Sequence, residues 1–420
     1  MRRWFLALLS LMLLTSQMCL CGCWDRREIN ELAVVSSLGI DKEDDIWKIT
    51  AEIFRPTTGG GEDGSSGGGG SGGGGTRRQV WIAQGQGYTL LGALRDMALK
   101  VPRRVYVAHT SAILVGEEVS RQGILEFLDL WERNAEARII TNLLVCRGKA
   151  EDVLMGSQGS LEKSVGLELA GLKLFSPVNG HSTLLSVHEF SSLLEAKGAD
   201  PFTGVAELRP VPTMPTAGGK SSGSAGVEEM KTKETTLALR LKGLALFRDD
   251  KLVGFAEPTE ARGILTLQGK ITNTVVYAKA TADQKREDNT VALKVFTARR
   301  QIKVEEKEGR PVLKIKITAE IALAEQAYRG DLMQADDYLF LEQQAATVIK
   351  NEAEQAIQLA KRLGVDPFSF GEIIRRQNKK LWQKLEKKWP EALQDLEISI
   401  DTRAKVRRSG LTGVPPLEKR

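Results

Sequence analysis

Cysteine is scarce in this chain and badly placed for a disulfide scaffold. Of its four cysteines, Cys19, Cys21 and Cys23 crowd the amino terminus and only Cys146 lies further along. A disulfide framework and a cysteine zinc site are both excluded. Cys146 closes the strand-like run that starts near Arg138 and reads as a small buried hydrophobe. Histidine is scarcer still: His109, His181 and His188 contain no pair four apart and no His-Glu-x-x-His, so zinc hydrolysis has no support. His109 reads as a satisfied histidine near a sheet end rather than a catalytic base. Gly-x-Ser-x-Gly is missing, and the near miss Ser222-Gly223-Ser224-Ala225-Gly226 sits in a linker unable to hold a strained elbow. After Gly85-Gln86-Gly87 the next glycine comes five positions on, at Gly92, so the dinucleotide-binding turn is absent. The neighbouring carboxylates Glu117-Glu118 and Asp336-Asp337 do not share a helix face and read as helix N-terminal charge. Charge of one sign is lacking too. The formal net charge is +5, or +3 once Arg2 and Arg3 leave with a signal. That balance argues against nucleic acid and supports at most a mild attraction to anionic lipid.

What is present begins at the amino terminus. Arg2 and Arg3 precede Trp4-Phe5-Leu6-Ala7-Leu8-Leu9-Ser10-Leu11-Met12-Leu13-Leu14, an apolar core interrupted only by Ser10. It is well short of the ~20 residues of a spanning helix. A basic start, an apolar stretch and small residues before a cut read as an export signal over 1–22. Leu20-Cys21-Gly22-Cys23 places leucine three before a cysteine and glycine directly before it, which resembles the bacterial lipobox. The resemblance implies that the Cys23 thiol takes a diacylglycerol and that Cys23 becomes the first mature residue. No other cofactor is expected. One fatty chain holds a protein to a bilayer only marginally and two hold it stably, so the rest of the chain is expected to be a soluble body tethered outside a membrane. An ordinary secretory signal cut elsewhere, or an uncleaved anchor, is the alternative.

The mature length exceeds one small core and suggests two or three domains. We divide it into 23–182, 183–235 and 236–420. The first division carries strands over 34–41 and 46–54 with an acidic turn between them, a Gly/Ser-rich loop over 59–75, and a strand over 77–83. A helix buries Leu90, Leu91, Leu94, Met97 and Ala98. A strand over 103–115 follows, then a helix carrying Val119, Ile124, Phe127, Leu128 and Trp131 inward, then a strand over 138–146. This alternation is an α/β pattern, although the early strands can pair antiparallel. The middle division holds a helix over 183–196, a strand over 203–208 and a Pro/Gly/Ser-rich linker from 210. The last division opens on a hairpin about Arg248-Asp249-Asp250-Lys251 and continues with strands over 271–280, 291–304 and 312–323, the last alternating as a sheet with one wet face. From Asp337 the period is helical until Gly364. A basic stretch with Trp382 and Trp389 leads to a strand over 396–401. The class is a mixed α+β, α/β chain.

Several blocks resemble one family. Gly22-Cys23-Trp24-Asp25-Arg26-Arg27-Glu28-Ile29, Ala108-His109, Val115-Gly116-Glu117-Glu118, the hairpin Gly243 to Gly254, Glu260-Ala261-Arg262-Gly263, and Gly364-Val365-Asp366-Pro367-Phe368-Ser369-Phe370-Gly371-Glu372 with Lys388-Trp389-Pro390 stand in that order. They are similar to the Ger(x)C lipoproteins, the C subunits of the nutrient germinant receptors of endospore-forming bacteria. The resemblance implies three mixed domains with largely antiparallel sheets flanked by helices. It also implies an assembly with a membrane-embedded A subunit and a transporter-like B subunit. The location would be the outer face of the spore's inner membrane, and the role transmission of a nutrient signal in germination. The Gly/Ser-rich insertion departs from the family pattern but falls in an expected loop.

Outside Cys23 the candidate contact residues are Glu117, Arg262, Asp366, Trp382 and Trp389. Arg262-Gly263 reads as a tight turn with a solvated arginine or as a docking point, and Asp366 as a cap or turn residue before Pro367. The stretch 375–388 reads as a packed amphipathic helix with a solvated basic face or as a contact for anionic headgroups. The leading function is a non-enzymatic receptor subunit. The rivals are a lipid-anchored solute-binding protein, which needs a cleft with converging polar groups, and an envelope hydrolase, for which no nucleophile or metal set is present.

Overall fold

The computed structural model describes residues 2–6, 10, 12, 28–55, 80–157, 161–211, 236–282, 289–327, 332 and 335–408. The lipobox at 20–23, the Gly/Ser-rich segment 59–75 and the linker after Val211 lie outside them. Strands β1 (Leu32–Glu43), β2 (Ile46–Phe54) and β3 (Val80–Gly87) pair antiparallel. Next come α1 (Leu90–Lys100), β4 (Arg104–Tyr106), β5 (Ala112–Val115), α2 (Glu117–Gln122), α3 (Leu125–Arg133), β6 (Asn142–Cys146), α4 (Ala150–Gly156) and α5 (Val165–Asn179). β7 (Leu185–Ser186), α6 (Val187–Glu195), β8 (Phe202–Val211), β9 (Thr236–Arg248) and β10 (Lys251–Ala256) complete the first sheet. Its order is β10-β9-β8-β6-β5-β1-β2-β3, with β4 on β1 and β7 on β6. Neighbours along β1, β5, β6 and β8 run parallel, and these central strands are buried on both faces, as apolar runs such as Ala112–Val115 require. One face packs on α1, α3 and α6 through Met97, Phe127, Trp131 and Phe190, the other on α4 and α5 through Leu154 and Leu169.

The second sheet is smaller. After α7 (Pro258–Gln268) come β11 (Thr272–Ala278), β12 (Val291–Lys307), β13 (Arg310–Gln326), the long α8 (Ala335–Leu363), α9 (Phe370–Gln377), α10 (Lys379–Leu385), α11 (Trp389–Gln394) and β14 (Glu397–Arg408). The order is β11-β12-β13-β14, with the last pair parallel. Along β13, Leu313, Ile315, Ile317, Ala319 and Ile321 are buried while Lys314, Lys316 and Thr318 are exposed and Glu320 half-buried, the period of two expected for a one-sided sheet. Against the buried face lies α8, through Leu341, Ala345, Ile349, Ala353 and Ala356. Its end is the expected one: Gly364 has φ +67° directly after it. The fold is α+β. Among the described residues no helix is long and apolar enough to cross a membrane.

Several expected boundaries move, each for a tertiary reason. The run 103–115 is two strands, because β1 bulges at Ser36 and the chain steps across it. There the Ser36 carbonyl accepts the Ser111 N–H at 2.8 Å. The helix expected over 119–131 breaks at Gly123, whose φ of +129° and closeness to Asp250 exclude a side chain. The strand over 138–146 starts only at Asn142, since the Ile139 and Thr141 carbonyls accept the first N–H groups of α6. That helix begins at Val187 rather than 183 because Ser186 and Glu189 form a capping box. Leu91 points outward, and α4 and α5 occupy a stretch with no assigned element. The block 260–263 is the middle of α7, not a turn. Finally, β9 pairs with β8 and β10 with β9 in the first sheet, so strands of that sheet stand on both sides of 235/236.

Candidate functional site

Glu117 stands at the carboxyl edge of the parallel strands, where Gly116 caps α2. Both Glu117 and Glu118 lie in that helix's first turn, as the charge pattern suggested. A cavity of about 420 Å³ opens here between Asp41, Lys42, Glu43, Glu117, Arg121 and Lys149. Its charges are spoken for. Glu117 Oε1 accepts from Arg121 at 2.7 and 3.0 Å, Lys149 donates to Glu43 at 2.5 Å, and the two Asp41 oxygens accept the Ala150 and Glu151 N–H groups at 2.8 and 2.9 Å. Burial pushes the Asp41 carboxyl up against those two backbone donors. Glu52 does the same for α5, accepting from Val165 at 2.9 Å and from the Ser37 hydroxyl at 2.6 Å. Each carboxylate breaks an apolar strand on its buried phase, the one sequence signal that marks such caps. The described residues contain no group of three or more side chains placed to hold a metal ion.

The junction between the sheets is built on Asp366. It is fully buried, with Oδ1 accepting from Phe368 and Phe370 at 3.2 and 3.0 Å and Oδ2 accepting from Gly371 at 2.9 Å. Its own N–H donates to Asp200 Oδ2 at 2.6 Å, and the Asp200 N–H returns to the Asp366 carbonyl at 2.9 Å. Two tetrapeptides of one pattern meet here, Gly198-Ala199-Asp200-Pro201 and Gly364-Val365-Asp366-Pro367. The repeat is the signal that sequence reasoning missed. Burial holds Asp366 up at about 7, with Asp200 repelling it, and burial holds Asp200 up at about 6, with Asp249 adding repulsion. Gly198 and Gly371 let the two segments touch: a Cβ on Gly371 would lie 2.6 Å from the Gly198 Cα. Arg248, on the hairpin turn, donates to the Gly364 carbonyl at 3.2 Å.

Arg262 and the two tryptophans are interior residues. Arg262 Nε donates to Glu352 Oε2 at 2.8 Å and Nη2 to Oε1, between α7 and α8. Trp382 and Trp389 pack edge to face with centroids 5.2 Å apart, inside the core of the second sheet. Their neighbours Lys379, Lys380, Lys387 and Lys388 form the solvated face of a packed amphipathic segment. Asp366, Trp382 and Trp389 are buried and the Arg262 side chain is 11% exposed, so in this fold all four face neighbouring elements of the same chain. Glu117 alone of the five borders an open cavity, and the lipobox residues Leu20, Cys21, Gly22 and Cys23 lie outside the described residues.

A chain of two sheets locked through paired Asp-Pro turns matches two family models, "Spore germination protein N-terminal domain" over 25–208 and "Spore germination B3/GerAC like, C-terminal" over 242–410. The chain belongs to the Ger(x)C family, the C subunits of germinant receptors. It is 26% identical over 413 residues to Spore germination protein KC of Bacillus subtilis (strain 168), covering 97% of each chain. It is 24% identical over 408 residues to Spore germination protein B3 of the same organism, covering 94% of this chain and 96% of that one. The crystal structure of the GerBC protein shares the fold, with a TM-score of 0.50 at 18% identity over 88% of this chain and 96% of that one.

Proposed function

We propose that this chain is the lipid-anchored, non-enzymatic C subunit of a nutrient germinant receptor. The Cys23 thiol carries the diacylglycerol, the body lies on the outer face of the spore's inner membrane, and it serves the A and B subunits as a scaffold that passes on the nutrient signal. The observation that supports this most is Leu20-Cys21-Gly22-Cys23 standing after the apolar stretch and nine positions before β1 opens at Leu32. Two acyl chains suffice for stable attachment. Cys23→Ala is expected to leave folding intact and release the body from membranes, checked by fractionation and by mass spectrometry of the mature amino terminus. A Cys23→Ala chain, with its signal removed, that stays equally membrane-bound would contradict the reading.

The open cavity beside Glu117 favours a second reading, a lipid-anchored solute-binding protein, because ligands of open α/β sheets sit at the carboxyl ends of parallel strands. Titration calorimetry against candidate nutrients separates the two. Saturable stoichiometric binding supports solute capture, and silence together with co-purified membrane subunits supports the scaffold.

A further inference from the structure

The first sheet has a definite polarity, and one of its edges gathers the features of a membrane contact. Register places Leu32 beside Arg104, Val35 beside Ile53 and Phe54 beside Val80, while β5 and β6 start together at Ala112 and Asn142. The start of β1, the end of β2 and the starts of β3, β4, β5 and β6 therefore share one edge. An apolar hollow of about 270 Å³ opens there between Leu32, Phe54, Arg55, Trp81, Pro102 and Arg103. Large apolar side chains stand out at the same edge: Trp81 is 36% exposed, Leu99 87%, Ile139 45% and Ile140 68%. Exposed arginines stand between them at Arg55, Arg103, Arg104 and Arg138, against Glu28, Glu31 and Glu136, of which Glu136 already holds Arg104. The apolar strip continues along α5. Ala170 borders a hollow with Ile140, and Leu174, Phe175 and Val178 follow on the helix, all exposed. At the opposite edge Asp41, Glu43, Asp44, Asp45, Glu117 and Glu118 outnumber Lys42, Arg121 and Lys149.

Where the chain enters decides what covers this edge. Cys23 precedes Glu28 by five residues, which span at most ~17 Å when extended. A diacylglycerol at Cys23 therefore holds the basic, apolar edge close to the headgroups and turns the acidic edge outward.

We propose that this edge is the membrane-apposed face of the protein: Arg55, Arg103 and Arg138 meet anionic phosphate headgroups, and Trp81, Leu99, Ile139 and Ile140 sit in the interfacial layer. Arginine near an anionic leaflet and tryptophan at headgroup depth are the side chains that such a layer favours. The inference rests on the acylation of Cys23, so its test keeps the two apart.

The test uses the mature lipidated chain in vesicles of phosphatidylglycerol and phosphatidylcholine. Single nitroxide labels are placed at Leu99→Cys, Ile140→Cys and, on the opposite edge, Asp45→Cys; Cys146 is buried and does not compete for label. A nickel-chelating lipid is expected to relax the labels at 99 and 140, and a water-soluble chromium complex the label at 45. The pair Arg55→Glu and Arg103→Glu is expected to lose the lipid-side relaxation at 99 while Cys23 keeps the protein on the vesicle. Equal access from water at 99, 140 and 45 in vesicle-bound protein overturns the proposal. Protection of 99 and 140 from both reagents once the membrane subunits are added also overturns it, in favour of a protein partner. An unmodified Cys23 by mass spectrometry removes the anchor itself, and the apposed face with it.

Discussion

At the scale of single residues, the carboxyls of Asp200 and Asp366 are the most consequential groups in the fold. Both are held above the ordinary carboxylate value of 3.8, at about 6 and about 7. Between roughly pH 4 and 7 the folded chain thus binds more protons at this junction than the unfolded chain does. Stability from these groups is full below the unfolded value and is lost as pH rises through the folded ones. Asp249 raises Asp200 further, Arg248 opposes it, and the Arg300 cation faces Asp366. Asp200→Asn retains an oxygen for the Asp366 N–H and carries no charge to repel Asp366. Urea unfolding at a series of pH values is expected to show a flatter decline across this window for Asp200→Asn than for the wild type. The difference at pH 7 should be on the order of 2 kcal/mol. Parallel curves for the two proteins would show that the junction carboxyls are not coupled to folding.

Between elements, the contact of α7 with α8 is the tightest test of packing. A Cβ on Gly263 would collide with the Glu352 carbonyl oxygen, so the helices meet backbone to backbone and seal the Arg262–Glu352 pair between them. Removing one partner leaves a buried charge uncompensated. Glu352→Leu or Arg262→Met alone should each cost about 3–5 kcal/mol, whereas the double replacement should be near neutral. A thermodynamic cycle by chemical denaturation measures this. Additive single losses would mean that the pair is solvated and contributes little. The same elements show where sequence reading stops. The α8 face was legible from its repeating Leu, Ala and Ile, because helical period is a local property. The role of Arg262 was not, since its partner lies ninety positions away.

For the whole molecule, the hairpin β9–β10 belongs to one sheet by hydrogen bonding while Leu244, Leu246 and Ala256 belong to the core of the other. Together with the Asp-Pro turns, this ties the two family-model regions to each other and should make them unfold as one body. Tryptophan fluorescence of Trp47 and Trp131 in the first core and of Trp382 and Trp389 in the second should report a single coincident unfolding transition. Two separated transitions, distinguished by single-tryptophan variants, would show that the hairpin does not couple them.

The sequence by itself determined the elements whose signal is local: the β9–β10 hairpin around its charged turn, the alternating β13, the long α8 closed by Gly364, and the family blocks that run through them. It also carried, in contiguous residues, the basic start, the apolar stretch and Leu20-Cys21-Gly22-Cys23 on which the proposed anchor rests. Only the tertiary structure decided that the chain makes two sheets with a shared hairpin, that Arg262, Asp366, Trp382 and Trp389 are interior, and that Asp200 meets Asp366. It alone revealed that the arginines and exposed apolar side chains on three separate connections line one edge. Those facts depend on strand order and long-range register, which bring together residues far apart along the chain and leave no mark on local periodicity.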